Sequence, residues 1–533
     1  MEAKKYQAFW RGAIILTIAS FVTKVLSAFY RIPYQNIAGD VGFYIYQQIY
    51  PFYGFCLVLA TYGFPTIISK MVAERLEKGK QKEAEEIIFV SFWFLLGIGC
   101  ISFFTLFFGA RTIASVMGDA NLDKLLRVIS FSFLLMPFLS VARGYFQGFN
   151  NMMPTAVSQV IEQTIRVSII VFLSMLLMAH GFDLYMVGAG AMLGSIVGGV
   201  VGVGVLLFYM RHHVRSIFLK GWKNIRNKKK MVRILFWQGM AICVSNLVLI
   251  FIQMADSVSF YTLLVRAGEP MEIAKVLKGV YDRSIPLMQL GTVVTTSFSL
   301  SLIPLITAAK ERGDYFFIRE KVKLAMKITF VIGLGAALGL ACIIRPTNIM
   351  LFENSEGSGV LAILAISILF SSLSITTASI LQGLGQTAKP ALFVVFGGCL
   401  KLLLNHLLMP HFSVTGSAIA TVIALMSIAL LNSALLIRIV EEPLIHKQNI
   451  FGVTIGGLGM VVILMLFMRM YEGFGLVSDG GHRGLAVIEA MTGVAVGGLV
   501  YVFLIMKLHV FTTEELGTVM KQDKVQASLK KSG

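Results

Sequence analysis

The sequence predicts an all-α polytopic membrane protein of about 14 transmembrane helices, arranged as two six-helix lobes plus two C-terminal helices. Three observations predict this. First, 56% of the residues are hydrophobic, only 14% are charged, and the mean hydropathy is +0.79. No water-soluble domain hides that much apolar surface. Second, apolar runs of about 20 residues recur along the whole chain, the length needed to cross a hydrocarbon core. They lack period-two alternation, so helices rather than a closed barrel satisfy their backbone in lipid. Third, the chain resembles itself at an offset of about 235–240 residues.

The runs are taken in chain order. The first, 11–32, has a basic flank, which also suits a cleaved signal peptide. It is too long for one, holds Lys24 and Arg31, and ends in no small-residue cleavage site. The next five are 44–68, 87–108, 123–145, 155–179 and 185–209. A second set of six follows at 234–263, 284–308, 324–344, 359–383, 391–410 and 416–438. Two more, 451–470 and 484–507, complete the count. The expected organisation is an N-terminal lobe (1–222), a basic linker (223–233), a C-terminal lobe (234–440), two extra helices (441–507) and a tail (508–533).

The net charge of +18 is distributed for topology. Lys70, Arg75, Lys78, Lys80 and Lys82 follow the second run, and Lys310, Arg312, Arg319, Lys321 and Lys323 follow the eighth. The segment after the sixth run, including "KNIRNKKKMVR" (223–233), is more basic still. Loops 180–184 and 411–415 carry no Lys or Arg. This is the positive-inside pattern, and it puts the basic loops and both termini in the cytoplasm. It also argues against nucleic acid as a partner. The linker reads as a topology anchor, with lipid binding as the alternative. Segment 265–283 is the exception, with Arg266, Lys275, Lys278 and Arg283 on the expected external side.

Covalent chemistry has no foothold. The cysteines Cys56, Cys100, Cys243, Cys342 and Cys399 are far apart and fall inside runs, so no CxxC site or disulfide framework is expected. There is no P-loop, HExxH or nucleophile elbow. No enzyme activity, metal or cofactor is expected.

The repeat is carried by short motifs. "YFQGFNNMMPTA" (145–156) echoes "ILQGLGQTAKPA" (380–391), and "GFPTIISKMVAER" (63–75) echoes "LIPLITAAKER" (302–312). Two related lobes that rock about a midplane site are a transporter architecture. "GAGAMLGSIVGGVVGVG" (188–204) spaces Gly190, Gly194, Gly198 and Gly202 four apart, a ladder for close helix approach or for a sliding seam.

Ionisable groups inside the membrane are costly unless they face a polar cavity or a partner. Lys24 and Arg31 share a helix face. Glu162 and Arg166 are spaced i,i+4 with the acid first, which suits an intrahelical pair. Asn246 and Gln253 share a face with Asp256 nearby, and Lys401 shares one with Asn405. Arg283 opens the eighth run. Cations dominate, and arginine's planar fork suits a phosphate. Lys24, Arg31, Arg283 and Lys401 are therefore the expected substrate-binding set, supported by Glu162, Arg166, Asn246, Gln253, Asp256 and Asn405.

The stretches "TKVLSAFYRIPYQNIAGDVGFYIYQQIYP" (23–51), "YGFPTIISKMVAE" (62–74), "QGFNNMMPTAVSQVIEQTIRV" (147–167) and "ILQGLGQTAKP" (380–390) carry a family resemblance. The chain resembles polysaccharide-biosynthesis membrane proteins of the MurJ and stage-V-sporulation-B type, within the multidrug/oligosaccharidyl-lipid/polysaccharide exporter superfamily. The resemblance covers essentially the whole chain. It implies alternating access in a bacterial plasma membrane, with a cationic cavity gripping the diphosphate of an undecaprenyl-linked sugar such as lipid II. Lys24 matches the first basic residue of the family's opening helix. Arg31 falls one position late, with Tyr30 in the arginine place. "YDRSIP" makes Arg283 the counterpart of the cavity arginine, and Glu162 and Arg166 meet "EQxxR". Besides the lipid-linked sugar and the bilayer, wall-synthesis enzymes are implied as partners. Two other readings stand beside this one. A cation-coupled small-molecule exporter would need Glu162 or Asp256, and a non-transporting scaffold for wall synthesis would keep its function in cavity-charge variants and lose it in surface-loop variants.

Overall fold

The computed structural model describes residues 2–211, 228–473, 483–512 and 515. The first part of the expected linker (223–227) and most of the expected tail lie outside the described residues. The described chain is helical throughout. The helices are α1 (Glu2–Phe29), α2 (Arg31–Val58), α3 (Phe64–Glu77), α4 (Gln81–Val116), α5 (Asp123–Ser130), α6 (Ser132–Gly148), α7 (Met153–Ala179) and α8 (Leu184–Met210). Then come α9 (Lys228–Ile234), α10 (Met240–Ser245), α11 (Val248–Arg266), α12 (Met271–Asp282), α13 (Ser284–Glu311), α14 (Tyr315–Cys342) and α15 (Ile344–Phe352). The last are α16 (Ser358–Gly383), α17 (Ala388–Val440), α18 (Lys447–Gly473) and α19 (Arg483–Lys507).

Eleven stretches of the described residues are long and apolar enough to cross a membrane. Two of them, Ile15–Glu77 and Ala388–Val440, double back. The reversals fall at Gly39 (φ +68) and Ser413 (φ +49). Both residues stand at positive φ, which glycine adopts without steric cost. With Ser284–Glu311 also apolar, the crossings reach the 14 expected from the sequence. The large apolar side chains that stay exposed, such as Phe108, Phe172 and Leu499, fit a lipid-facing belt.

Packing follows the small residues. In α8, a Cβ on Gly198 would stand 2.7 Å from the Glu162 carbonyl oxygen, and one on Gly194 would stand 3.0 Å from that of Arg166. The glycine ladder thus seats α8 on the face of α7 that carries Glu162 and Arg166, a packing role that needs no side-chain bulk. The repeat is equally literal. Gly148 ends α6 against Ser69 and Val72 of α3, and Gly383 ends α16 against Ile303 and Ile306 of α13. Both "QG" motifs therefore close a helix onto the helix two crossings earlier. Helices α18 and α19 pack on each other and on α14, around Ile343, Met460, Leu464 and Tyr501.

Two single-turn π-helices, Leu59–Gly63 and Leu235–Gly239, interrupt the second and seventh crossings. They meet at the seam between the halves, where Gly63 abuts Cys243 and Gly239 abuts Phe64. On the basic-loop face, Lys323 bonds Glu442 at 2.5 Å and holds its carboxyl below the usual carboxylate range.

Candidate functional site: a clamped cavity with buried arginines

A cavity of about 190 Å³ lies between the halves. Polar side chains of Ser27, Tyr62, Asn246, Gln253, Gln289, Thr292 and Gln382 are set in a wall that is otherwise largely apolar, with Val58, Leu249, Ile250 and Ile375. Lys24 is the charged residue of that lining. Lys24, Asn246 and Gln253 are thus brought to one cavity, as the sequence suggested. Asn246 also donates to the Ile242 carbonyl at 2.7 Å, so part of its polarity is spent on its own helix.

Arg31 stands one hydrogen bond behind this wall. It is fully buried, and its Nη1 donates to Gln289 Oε1 at 2.5 Å and to the Ser27 carbonyl at 3.2 Å. Its Nε and Nη2 have no partner among the described residues. Its guanidinium lies 4.4 Å from the Tyr50 ring centroid and 5.5 Å from that of Tyr30. Arg166 approaches Tyr30 too, at 5.4 Å, and donates to the Tyr53 hydroxyl at 3.0 Å. Its Nε and Nη2 are likewise unpartnered. The tyrosine-rich stretch 44–53 is therefore a cage of ring faces, which attract cations. Neither arginine has an ion pair among the described residues.

The expected intrahelical pair of Glu162 with Arg166 does not form. Glu162 Oε2 pairs instead with Arg143 Nη2 at 2.5 Å. Arg143 also donates to Thr61 Oγ1 at 3.0 Å. Burial explains the exchange. Arg143 on α6 is fully buried and meets no other carboxylate among the described residues, whereas Arg166 turns to the tyrosines on α2. Arg143 was missed by sequence reasoning, although an arginine inside the apolar "FLLMPFLSVARGYF" (133–146) was its signal.

Arg283 closes the opposite end from the basic loops. It is fully buried, and its Nε and Nη2 donate to Asp40 Oδ1 and Oδ2 at 3.0 and 2.6 Å. Its Nη1 donates to Asn354 Oδ1 at 2.7 Å and Asn348 Oδ1 at 3.1 Å. The expectation of a cation open to the cavity is thus corrected for this state: Arg283 is a clamp between the halves. A Cβ on Gly279 would overlap the Asp40 carbonyl, so glycine there permits the approach. Neighbouring Lys278 pairs with Asp282 at 2.5 Å, and Lys275 with Glu272 at 2.8 Å. These pairs offset much of the cationic charge of segment 265–283, which stays an exception to the Lys/Arg pattern of the loops. Asp40 and Asp282 were not among the site residues expected from the sequence, and Lys278 was read there only as a charge of segment 265–283.

Lys401, Asp256 and Asn405 form a separate cluster inside the second half, not at this cavity. Lys401 Nζ lies 2.8 Å from Asp256 Oδ1 and 2.7 Å from both oxygens of Ser417. Asn405 donates to Asp256 Oδ1 at 2.9 Å, and the Tyr281 hydroxyl donates to Oδ2 at 3.0 Å. Lys401 is fully buried, and a charge so placed persists only when paired. Its expected contact with substrate is replaced by this internal pair.

Comparisons place this arrangement among known proteins. The polysaccharide biosynthesis protein family matches residues 9–310. An uncharacterized membrane protein of Bacillus subtilis, YabM, is 41% identical over 96% of this chain and 94% of its own. The lipid II flippase MurJ of the same organism is 25% identical over 92% and 94%. Among solved structures, a lipid II flippase MurJ in an inward closed conformation superposes with a TM-score of 0.67 at 14% identity, covering 93% of this chain and 99% of that one. That likeness is one of fold.

Proposed function

The chain belongs to the polysaccharide biosynthesis protein family, and from that premise we propose that it is a flippase for an undecaprenyl-diphosphate-linked sugar, lipid II or a related wall or polysaccharide intermediate. The observation that carries this is the pair of buried arginines without an anion. Arg31 and Arg166 together present four unpartnered guanidinium nitrogens, carrying six N–H groups, around Tyr30. Buried guanidinium groups are stable when charge-assisted hydrogen bonds complete them. A diphosphate entering past Lys24 and Gln289 supplies those acceptors. The sugar then meets the amides and hydroxyls that line the cavity, while the lipid tail stays in the bilayer.

In this reading the basic loops face the cytoplasm and Asp40 faces outside. The Arg283–Asp40 clamp holds the external side closed. Binding of the diphosphate draws the halves together at the cytoplasmic side and releases the clamp, which is alternating access between two states. No covalent step is needed. The exporter reading requires a buried carboxylate free to bind a cation. Glu162 and Asp256 each already hold one, Arg143 and Lys401. The scaffold reading leaves the unpartnered arginines without a role.

The test is rescue of bacteria depleted of their lipid II flippases. Wild type and the Arg31→Ala, Arg166→Ala and Arg283→Ala variants are expressed, and external exposure of labelled lipid II is followed. Rescue by wild type alone supports the assignment. No rescue by well-inserted wild type moves the substrate to another lipid-linked sugar, and rescue by every variant overturns the cationic site.

A further inference from the structure

We infer that Arg483, at the start of the last helix and outside both halves, is a positioning residue that latches the external closure from its outer side. The observation is a second arginine fork on the far side of the loop that Arg283 grips. Arg283 holds residues 348–356 from within, through Asn348 and Asn354. Arg483 holds the same segment from without. Its Nη1 pairs with Glu353 at 2.5 Å, and its Nε donates to the Met350 carbonyl at 2.9 Å.

Arg483 also reaches the first half. With the Asn36 amide oxygen turned toward it, Nη2 donates to that oxygen at 3.0 Å. The Asn36 amide nitrogen then donates to the Leu351 carbonyl at 3.0 Å. Asn36 lies four residues before Asp40, in the turn that Arg283 clamps. One guanidinium therefore joins the end of the first crossing, helix α15 and the last helix. Helix α15 packs on both α19 and α2, so the contact is continuous with the body of the fold.

The backbone at this point is unusual. Glu353 caps α15 at φ +71, a left-handed conformation that a non-glycine side chain rarely adopts. Such geometry persists where its surroundings hold it, and the Arg483 fork is what holds the Glu353 side chain. The pair is partly exposed, at 44% and 56% for the two side chains, so its strength is modest. A modest contact suffices to bias two states of similar free energy. The last two helices thus do more than flank α14: they set the resting balance of the external clamp.

This inference rests on the alternating-access reading, and one experiment separates the two. Spin labels are placed at Phe182→Cys and Phe412→Cys, exposed positions at the external ends of the two halves. The five native cysteines are replaced, and distances are measured by pulsed electron resonance in nanodiscs. Wild type is expected to give one dominant short distance. Arg483→Ala is expected to raise a longer-distance population by on the order of 5-fold, the factor that losing one partly exposed ion pair gives. Glu353→Gln breaks the pair from its other end and is expected to shift the population in the same direction. Arg283→Ala serves as the reference for an opened clamp. Opening by Arg283→Ala but by neither other variant overturns the latch and leaves the transport reading standing. No opening by any of the three overturns both.

Discussion

Arg283 and Asp40 lie 243 residues apart in the chain, yet they meet through two parallel hydrogen bonds of 3.0 and 2.6 Å. A planar guanidinium facing both oxygens of a carboxylate is a directional contact that lysine cannot copy. It is also a reversible one, since each group has water to return to when the halves part.

Breaking this pair from one side leaves the other charge stranded. Arg283→Gln and Asp40→Asn are both expected to stop transport while membrane insertion is retained. Removing a partner of a buried pair costs about 3–5 kcal/mol, enough to abolish the closed state. Flipping assays on reconstituted protein, with a surface-expression control, check this. Full activity of either variant would remove the clamp from the cycle.

The unpartnered arginines make the opposite prediction for stability. Arg166→Gln removes a buried charge that has no counter-ion, so the protein should be as stable as wild type or more so. Transport should fall by ~10–100-fold, the loss expected from one charge-assisted hydrogen bond of about 1.5–3 kcal/mol. Thermal melting in detergent and flipping rate are measured on the same preparation. A destabilised Arg166→Gln would mean that its role is structural.

Arg143 and Glu162 should behave as a structural unit. Each single replacement, Arg143→Met or Glu162→Leu, is expected to lower stability by about 3–5 kcal/mol, because one buried charge loses its partner. The double replacement is expected to recover most of the loss. Melting temperatures of the four proteins check the cycle. If Glu162→Leu alone is stable but loses ion-dependent transport, the exporter reading gains ground.

The seam between the π-helices depends on one missing methyl group. A Cβ at Gly63 would overlap the Cys243 sulfur. Gly63→Ala is expected to destabilise by roughly 1–3 kcal/mol, the usual cost of overpacking. Adding Cys243→Ala in the same chain should restore stability by removing the sulfur. Persistence of the defect in the double variant would place the strain elsewhere.

The sequence by itself determined the class, the crossings and the face that the basic loops mark. These follow from length, hydropathy and charge, which act residue by residue along the chain. It also exposed the glycine ladder and the "QG" repeat, whose spacing is local. It did not decide partners. Glu162 and Arg166 have ideal helical spacing, but spacing only permits a pair, and a fully buried Arg143 competed for the carboxylate. Lys401 looked like a free cation because Asp256 lies 145 residues away in the chain and 2.8 Å away in the fold. Arg283 and Arg483 could be named as intramembrane or flanking charges, but their common grip on residues 348–356 exists only once three distant segments fold together. The physical reason is the same in each case. A buried charge settles on whichever opposite charge or dipole the packed helices bring within about 3 Å, and that proximity is a property of the tertiary structure.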